Sequence, residues 1–191
     1  MLKLQQLRFS AVTIACLVLA SCGRETNSTP AEGLQRATAE LSRVKTPEDR
    51  FYALNEVAKE SFAAGNAEDA RTYAEELLKL MPSFRPNWNY GNALHDANMV
   101  LGRIAARDNR IDDAKRYLLE SGKTPGSPQL DSFGPNMSLA KDLLEKGERD
   151  SVLEYFGMCR RFWKMHGGRL NKWTVDVQHG RIPDFGANLF Y

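Results

Sequence analysis

A short pattern that recurs three times constrains the fold of this chain more than any other feature. The three copies read GNAEDA at 65–70, DNRIDDA at 108–114 and KGERDSV at 146–152. Gly and Asn commonly end a helix, whereas Asp and Glu favour the first turn of the next one. The pattern therefore predicts three helical hairpins, with the small apolar residue of each copy placed where its two helices cross closely.

Apolar residues on both sides of these turns recur at helical spacing. Thr46 and Pro47 provide the N-cap and first turn of a helix that carries Phe51, Leu54 and Phe62 on one face. We also expect an N-terminal helix at about 34–44, and a C-terminal helix followed by an irregular tail. Because the pattern is helical almost throughout, the sequence predicts an all-α fold.

The hairpins resemble tetratricopeptide repeats of about 34 residues. The matching segments are 51–84, 97–125 and 135–163. In the second copy, Leu101 and Gly102 stand where these repeats pack their first helix. The TPGSPQL, SFGPNM and IPDFGANL segments are similar to those of an uncharacterised group of bacterial tetratricopeptide proteins. The resemblance implies a short right-handed superhelix that generally binds other proteins, and it brings no known activity.

The N-terminus resembles that of a bacterial lipoprotein. Lys3 and Arg8 precede ten uncharged residues, too few to span a hydrocarbon core of about 30 Å. The LASC segment at 19–22 resembles a lipobox, whose cysteine is acylated and becomes the new N-terminus. We expect a lipoprotein signal peptide at 1–21 and lipid attachment at Cys22. The alternatives are an ordinary secretory signal and an uncleaved anchor.

The residues after Cys22 extend this prediction. Residue 23 is Gly rather than the Asp that favours inner-membrane retention in enteric-type sorting. We therefore expect an extracytoplasmic, lipid-anchored protein, on the outer membrane if the bacterium has two membranes. Residues 22–33 contain no large apolar side chain and are expected to be a flexible tether before a helical domain at 34–191. Cys159 then remains as a lone cysteine, expected to be buried.

The charge balance excludes a general nucleic-acid binder. The chain has 26 Lys and Arg against 24 Asp and Glu, and the excess belongs to the two cations of the signal segment. Phosphate affinity requires a surplus of cations, so we expect no nucleic-acid partner. We also expect no cofactor and no metal, because His95, His166 and His179 lack regular ligand spacing.

Unusual polar and aromatic residues lie between the first two hairpins. The candidate ligand-binding residues are Trp88, Tyr90, Asn92, His95 and Asn98. They suit recognition of a peptide backbone. Alternatively, the two aromatic residues pack between repeats while Asn92 and His95 satisfy loop carbonyls. A third hypothesis pairs His95 with Asp96 in acid–base catalysis, although adjacent helical residues point about 100° apart, which places them poorly for a direct hydrogen bond.

Two further segments carry hypotheses. The loop at 121–137 contains a Gly-Lys-Thr triplet, but it lacks the earlier glycine of a phosphate loop and follows a helix, so we interpret it as a rigid loop. A basic and aromatic strip at 160–173 includes Arg160, Arg161 and Lys164, which suit an anionic lipid or an envelope glycan. Alternatively, these cations stabilise a helix C-terminus while neighbouring aromatics cap the last repeat.

The sequence therefore favours a membrane-anchored, extracytoplasmic scaffold that binds a protein or peptide partner at the bacterial envelope. An enzyme that uses the His95 region, and a glycan or anionic-lipid binder that uses the strip at 160–173, are the alternatives.

Overall fold

The structure is a computed structural model that describes residues 29–190. Within that range every regular element is a helix, which confirms the all-α class. The α-helices of this range are α1 (Pro30–Leu41), α2 (Pro47–Ala63), α3 (Ala67–Leu80), α4 (Tyr90–Arg107), α5 (Ile111–Gly122), α6 (Pro128–Ser132), α7 (Ser138–Glu145), α8 (Arg149–Phe162) and α9 (Arg169–Gln178). Short 3-10 segments lie at Met81–Phe84 and Gly186–Leu189. The predicted signal peptide and Cys22 lie outside the described residues.

The first helix begins earlier than the sequence pattern indicates. α1 starts at Pro30, so the last four residues of the predicted tether are helical. Thr29 explains the difference, because its hydroxyl accepts from the backbone N–H of Glu32 while the Glu32 carboxylate accepts from the Thr29 N–H. This capping box satisfies two backbone donors that a helix start otherwise leaves unpaired. α1 ends at Leu41 and packs against α2.

The same turn connects α2 to α3, α4 to α5 and α7 to α8. Gly65, Asn109 and Gly147 adopt left-handed conformations, with φ of +86°, +57° and +88°. The N–H of the following residue donates to the carbonyl five residues before it, at 2.8 Å in the first two turns and 3.0 Å in the third. This hydrogen bond is typical of helix C-termini that end in a left-handed residue. The three predicted hairpin turns are therefore confirmed.

The hairpin boundaries differ from the predicted repeats by a few residues. The hairpins cover 47–80, 90–122 and 138–162. The largest difference occurs in the second, because residues 90–96 form the start of α4 rather than a segment that precedes the repeat. The Asn87 side chain accepts from the Asn89 N–H and the Asn87 carbonyl accepts from the Tyr90 N–H, so the turn leads directly into the helix.

Two buried apolar clusters share α4. One joins α1 to α4, and the other joins α4 to the helices and tail that follow it. The small residues expected at the crossings, Ala70, Ala114 and Val152, are fully buried. On α4, a Cβ added to Gly102 would lie 2.2 Å from Cδ2 of Leu139. The absence of a side chain at Gly102 therefore allows α7 to approach α4 closely.

The C-terminal tail folds back onto the helices. Phe185 is buried and packs edge-on against Trp173, with ring centroids 5.0 Å apart. The Asn188 Nδ2 donates to the carbonyls of Phe133 and Pro135, both at 3.0 Å, and the Asn188 carbonyl accepts from the Met137 N–H at 2.7 Å. These bonds hold the tail beside α6 and α7. Of the helices at 29–190, none is long and apolar enough to cross a membrane.

Candidate functional site

The main candidate site is a cavity of about 660 Å³, which we call the larger cavity. Helices α2 and α4 supply one side of it, and residues 129–134 together with the tail supply the other. A smaller cavity of about 350 Å³ lies next to it along α2 and α4. Glu56, Lys59 and Asp96 line both cavities. These three charged side chains therefore stand between the two cavities.

A buried polar network holds Asp96 at this position. Oδ1 of Asp96 lies 3.0 Å from Nδ1 of His95, and Oδ2 accepts from Nδ2 of Asn55 at 3.0 Å. The other ring nitrogen of His95, Nε2, lies 3.2 Å from the hydroxyl of Tyr155 on α8. Both ring nitrogens of His95 are therefore engaged, Nδ1 with the Asp96 carboxylate and Nε2 with the tyrosine hydroxyl.

The direct bond between His95 and Asp96 corrects the expectation that adjacent helical residues are poorly placed for one. The separation of about 100° applies to the Cα–Cβ directions. Rotation about the side-chain bonds then brings Nδ1 and Oδ1 to 3.0 Å. His95 is fully buried and both of its ring nitrogens are engaged, so it contacts the larger cavity only through Asp96.

The pKa values of Asp96 and Lys59 both shift in the direction that favours the charged form. Burial opposes ionisation of Asp96, but the hydrogen bond from His95 and the charge of Lys59 outweigh burial and hold the pKa of Asp96 below its usual value. For Lys59, burial lowers the pKa, while Asp96 and Glu56 raise it, and the net direction is upward. Asp96 is therefore a carboxylate and Lys59 an ammonium at neutral pH.

Side-chain amides form a second polar region of the larger cavity. Nδ2 of Asn92 donates to Oδ1 of Asn89 at 2.7 Å and to Oε1 of Gln129 at 3.2 Å. The hydroxyl of Ser127, which caps α6, donates to Oδ1 of Asn92. Amide groups from α4 and α6 thus stand side by side where the two sides of the larger cavity meet.

The loop at 121–137 is held against the start of α4. The hydroxyl of Thr124 donates to the carbonyl of Gly91 at 2.9 Å. A Cβ added to Gly91 would lie 1.9 Å from the carbonyl oxygen of Gly126, so the loop passes directly over the start of α4. The segment predicted as a loop contains the short helix α6 (Pro128–Ser132), and residues between 129 and 134 line the larger cavity.

Aromatic side chains and one arginine complete the lining. Phe133 and Phe190 are 70% and 76% exposed although both line the cavity. The guanidinium of Arg169 donates to the carbonyls of His166 and Met165 and to Oδ1 of Asn188. These contacts fix the guanidinium at the edge of the cavity.

The five candidate ligand-binding residues of the sequence separate in the structure. Asn92 lines the larger cavity, and His95 lies behind its wall. Asn98 is buried and donates to the Leu94 carbonyl at 2.8 Å. Tyr90 packs against the first apolar cluster. Trp88 is 57% exposed and does not line the larger cavity. It lies two residues before the start of α4, so it does not share a helical face with Asn92.

The three residues of the basic strip lie away from the larger cavity. Arg160 and Arg161 belong to the last turn of α8. Arg160 donates to Oδ1 of Asn171 at 2.6 Å, which links α8 to α9. The Lys164 side chain is exposed just beyond the helix end. These positions place the cations at the C-terminal end of the helix dipole, where positive charge is favoured.

Several lining residues have no signal in the sequence. Asn55 and Lys59 lie on the inner side of α2, Gln129 on α6 and Asn188 in the tail, whereas Arg169 lies within the basic strip at 160–173. No regular spacing connects them, because the cavity forms where distant segments meet. In the range 29–190 no group of three or more His, Cys, Asp or Glu side chains is arranged to hold a metal ion.

The cavity offers a ligand hydrogen bonds from the amides of Asn92 and Gln129 and apolar contact with the rings of Phe133 and Phe190. Its size is within the range of pockets that enclose a small molecule or a few peptide residues. Comparison of the chain with protein-family models, characterised proteins and solved structures found no match.

Proposed function

We propose that this protein is a lipid-anchored, extracytoplasmic scaffold that binds a peptide segment of a partner protein in the larger cavity. The observation that carries the proposal is the row of side-chain amides formed by Asn89, Asn92 and Gln129, which line the same cavity as the exposed rings of Phe133 and Phe190. Every peptide unit has one donor and one acceptor. A side-chain amide has both, so such a row suits an extended main chain, while the rings contact its apolar side chains.

The fold part of this proposal is that the three hairpins are tetratricopeptide-like repeats in a short right-handed superhelix. It is supported by the shared turn geometry at Gly65, Asn109 and Gly147 and by the buried small residues of the second helices. The close approach at Gly102 also matches the role expected from the resemblance. Scaffolds of stacked hairpins commonly bind partners on an inner surface.

The location part of the proposal is supported by the N-terminal sequence alone. Residues 19–22 match a lipobox, and the signal peptide would be removed before Cys22. Several acyl chains hold a protein on a membrane far more firmly than one. Mass measurement of the mature protein checks this: acylation of Cys22 that is sensitive to globomycin is expected, and it should be absent from a Cys22→Ala variant. An unmodified mature N-terminus would contradict the anchor.

The binding part is tested by site-specific photo-crosslinking in the native cells. A photoreactive amino acid at Gln129, which lines the larger cavity, should capture the partner. The same group at Glu75, an exposed residue of α3 that does not line the cavity, is the matched control. We expect one product that is specific to position 129 and that weakens when Asn92 is replaced by Ala.

Peptide display with the purified domain gives an independent readout. Selection should enrich related sequences, and their binding should depend on Asn92. Equal products from both crosslinking positions, together with no enrichment of peptides, would refute peptide binding in the larger cavity.

A further inference from the structure

The wall between the two cavities has more hydrogen-bond acceptors than donors. Glu56 and Asp96 contribute two carboxylates, and Lys59 contributes one ammonium, whose Nζ lies 3.0 Å from Glu56 and 3.8 Å from Asp96. This cluster therefore retains one net negative charge. The Glu56 side chain is half exposed, and that of Asp96 is 13% exposed. Both carboxylates line the cavities.

Asn55 adds an acceptor that has no partner. The residue is only 8% exposed and lines the larger cavity. Its Nδ2 donates to Asp96, whereas its carbonyl oxygen Oδ1 is buried and accepts no hydrogen bond from the described residues. Buried polar atoms are nearly always paired in folded proteins. An unpaired carbonyl beside two carboxylates indicates a place where a donor is missing.

The hydrogen bonds behind this wall fix the orientation of the Asp96 carboxylate, which accepts hydrogen bonds. His95 donates to one carboxylate oxygen and is itself held by Tyr155, which lies 60 residues further along the chain. The carboxylate orientation therefore depends on the packing of α8 against the interior. On the opposite side of the larger cavity stands Arg169, a cation with no carboxylate partner within ion-pair distance among residues 29–190. The cavity thus has an acidic side and a basic side.

We propose that the wall formed by Asn55, Glu56 and Asp96 binds the cationic side chain of a Lys or Arg residue in the partner peptide. This inference rests on the proposed function and specifies the chemistry of the partner. An ammonium or guanidinium supplies several hydrogen-bond donors and one positive charge, which matches the unpaired acceptor and the net negative charge of the wall. The Arg169 side repels the same cation, so the basic side chain of the peptide is held at the acidic side of the cavity.

Capped pentapeptides test this directly, because capping removes the terminal charges. The probes are acetyl-Gly-Phe-Lys-Phe-Gly-amide and two analogues in which Lys is replaced by norleucine or by Glu. The norleucine analogue keeps the length of the apolar chain and lacks the charge. Binding to the purified domain is measured by chemical-shift titration, which also detects weak complexes.

The lysine peptide should bind about tenfold more tightly than the norleucine peptide, the factor expected for one partly desolvated charge pair, and the Glu peptide should bind most weakly. Glu56→Gln and Asp96→Asn should each remove most of that preference. Glu75→Gln, an exposed acid of α3, should leave it unchanged.

The Lys59→Met variant gives the most decisive test of the cation site. Removal of the resident ammonium leaves two carboxylates without their cation, so the lysine peptide should bind more tightly to this variant than to the wild type. A loss of folding would weaken binding of all three peptides, whereas a cation site predicts gain for one peptide alone. Circular dichroism of each variant records its folding separately.

Three results would overturn the cation site. They are equal affinity for the lysine and norleucine peptides, weaker binding of the lysine peptide to a folded Lys59→Met variant, and no binding of the lysine peptide. The display selection distinguishes these from failure of the proposed function. Enriched peptides that bind the cavity without any basic residue would leave peptide binding intact and refute only its cation preference.

Discussion

Gly134 and Gly147 form a matched pair that separates backbone strain from steric contact. Both have φ of +88°, a conformation that favours glycine. A Cβ added to Gly147 would have no heavy atom within 4 Å, whereas a Cβ added to Gly134 would lie 2.3 Å from Cε2 of Trp163. The indole ring of Trp163 is fully buried and cannot move aside freely. The two Gly→Ala replacements therefore share the same backbone φ and differ in the space available to the added methyl group.

The expected magnitudes follow from these two terms. A left-handed backbone costs an Ala residue about 1–2 kcal/mol, which is the whole expected loss for Gly147→Ala. Overpacking a dense core adds about 1–3 kcal/mol, so Gly134→Ala should lose about 2–5 kcal/mol. Gly134 also lines the larger cavity, and a displaced Trp163 should disturb Arg169, whose guanidinium lies 4.4 Å from the indole ring.

Equilibrium urea unfolding of both variants, followed by circular dichroism, measures the two losses. The slope of the transition should be unchanged, so the difference should arise from the midpoint. Equal losses of free energy in the two variants would refute the argument that Trp163 requires glycine at position 134. A larger loss for Gly147→Ala would refute the matched comparison itself.

Three further predictions concern the buried polar groups. Tyr155→Phe leaves Nε2 of His95 buried without its hydrogen-bond partner and should cost about 1–3 kcal/mol in urea unfolding; a change below about 0.5 kcal/mol would show that the bond is not needed. Asn188→Ala removes the two side-chain bonds to the carbonyls of Phe133 and Pro135 that help to hold the tail, so limited proteolysis should cleave the C-terminal segment faster while α2 and α3 stay protected; unchanged cleavage would contradict this role. The pKa of Asp96 is lowered by folding, so its contribution is complete above the unfolded pKa of about 3.9 and is lost as pH falls through the lower folded pKa. The stability difference between wild type and Asp96→Asn should therefore shrink as pH falls below about 4, and a constant difference would refute the ionised carboxylate.

The hairpin turns show why part of the fold was predictable. Each turn depends on a left-handed residue and on a hydrogen bond between groups five residues apart, both of which are local properties. Helix starts are local as well, since Thr46 accepts from the N–H of Asp49 three residues later. The capping box at Thr29 was also readable in the sequence, but the polar composition around it favoured a tether.

The candidate site was predictable only where it coincided with a helix face. Asn92 lines the larger cavity, whereas Trp88 does not, because the position at which α4 begins decides which residues share its face. The bond between His95 and Asp96 depends on side-chain rotation, which helical spacing does not describe. The contact between His95 and Tyr155 could not be predicted from the sequence, because 60 residues separate the two.

The sequence by itself determined the helical class, the hairpin turns and the expectation of a lipid anchor, because each depends on residues close together in the chain. The tertiary structure alone decided that α2, α4, the loop before α7 and the tail enclose one cavity. Its lining extends from Tyr52 to Phe190, and the tail takes part in it because Asn188 and Phe185 hold the tail against the helices. Contacts of that kind depend on how complete surfaces fit together, which no local pattern of residues encodes.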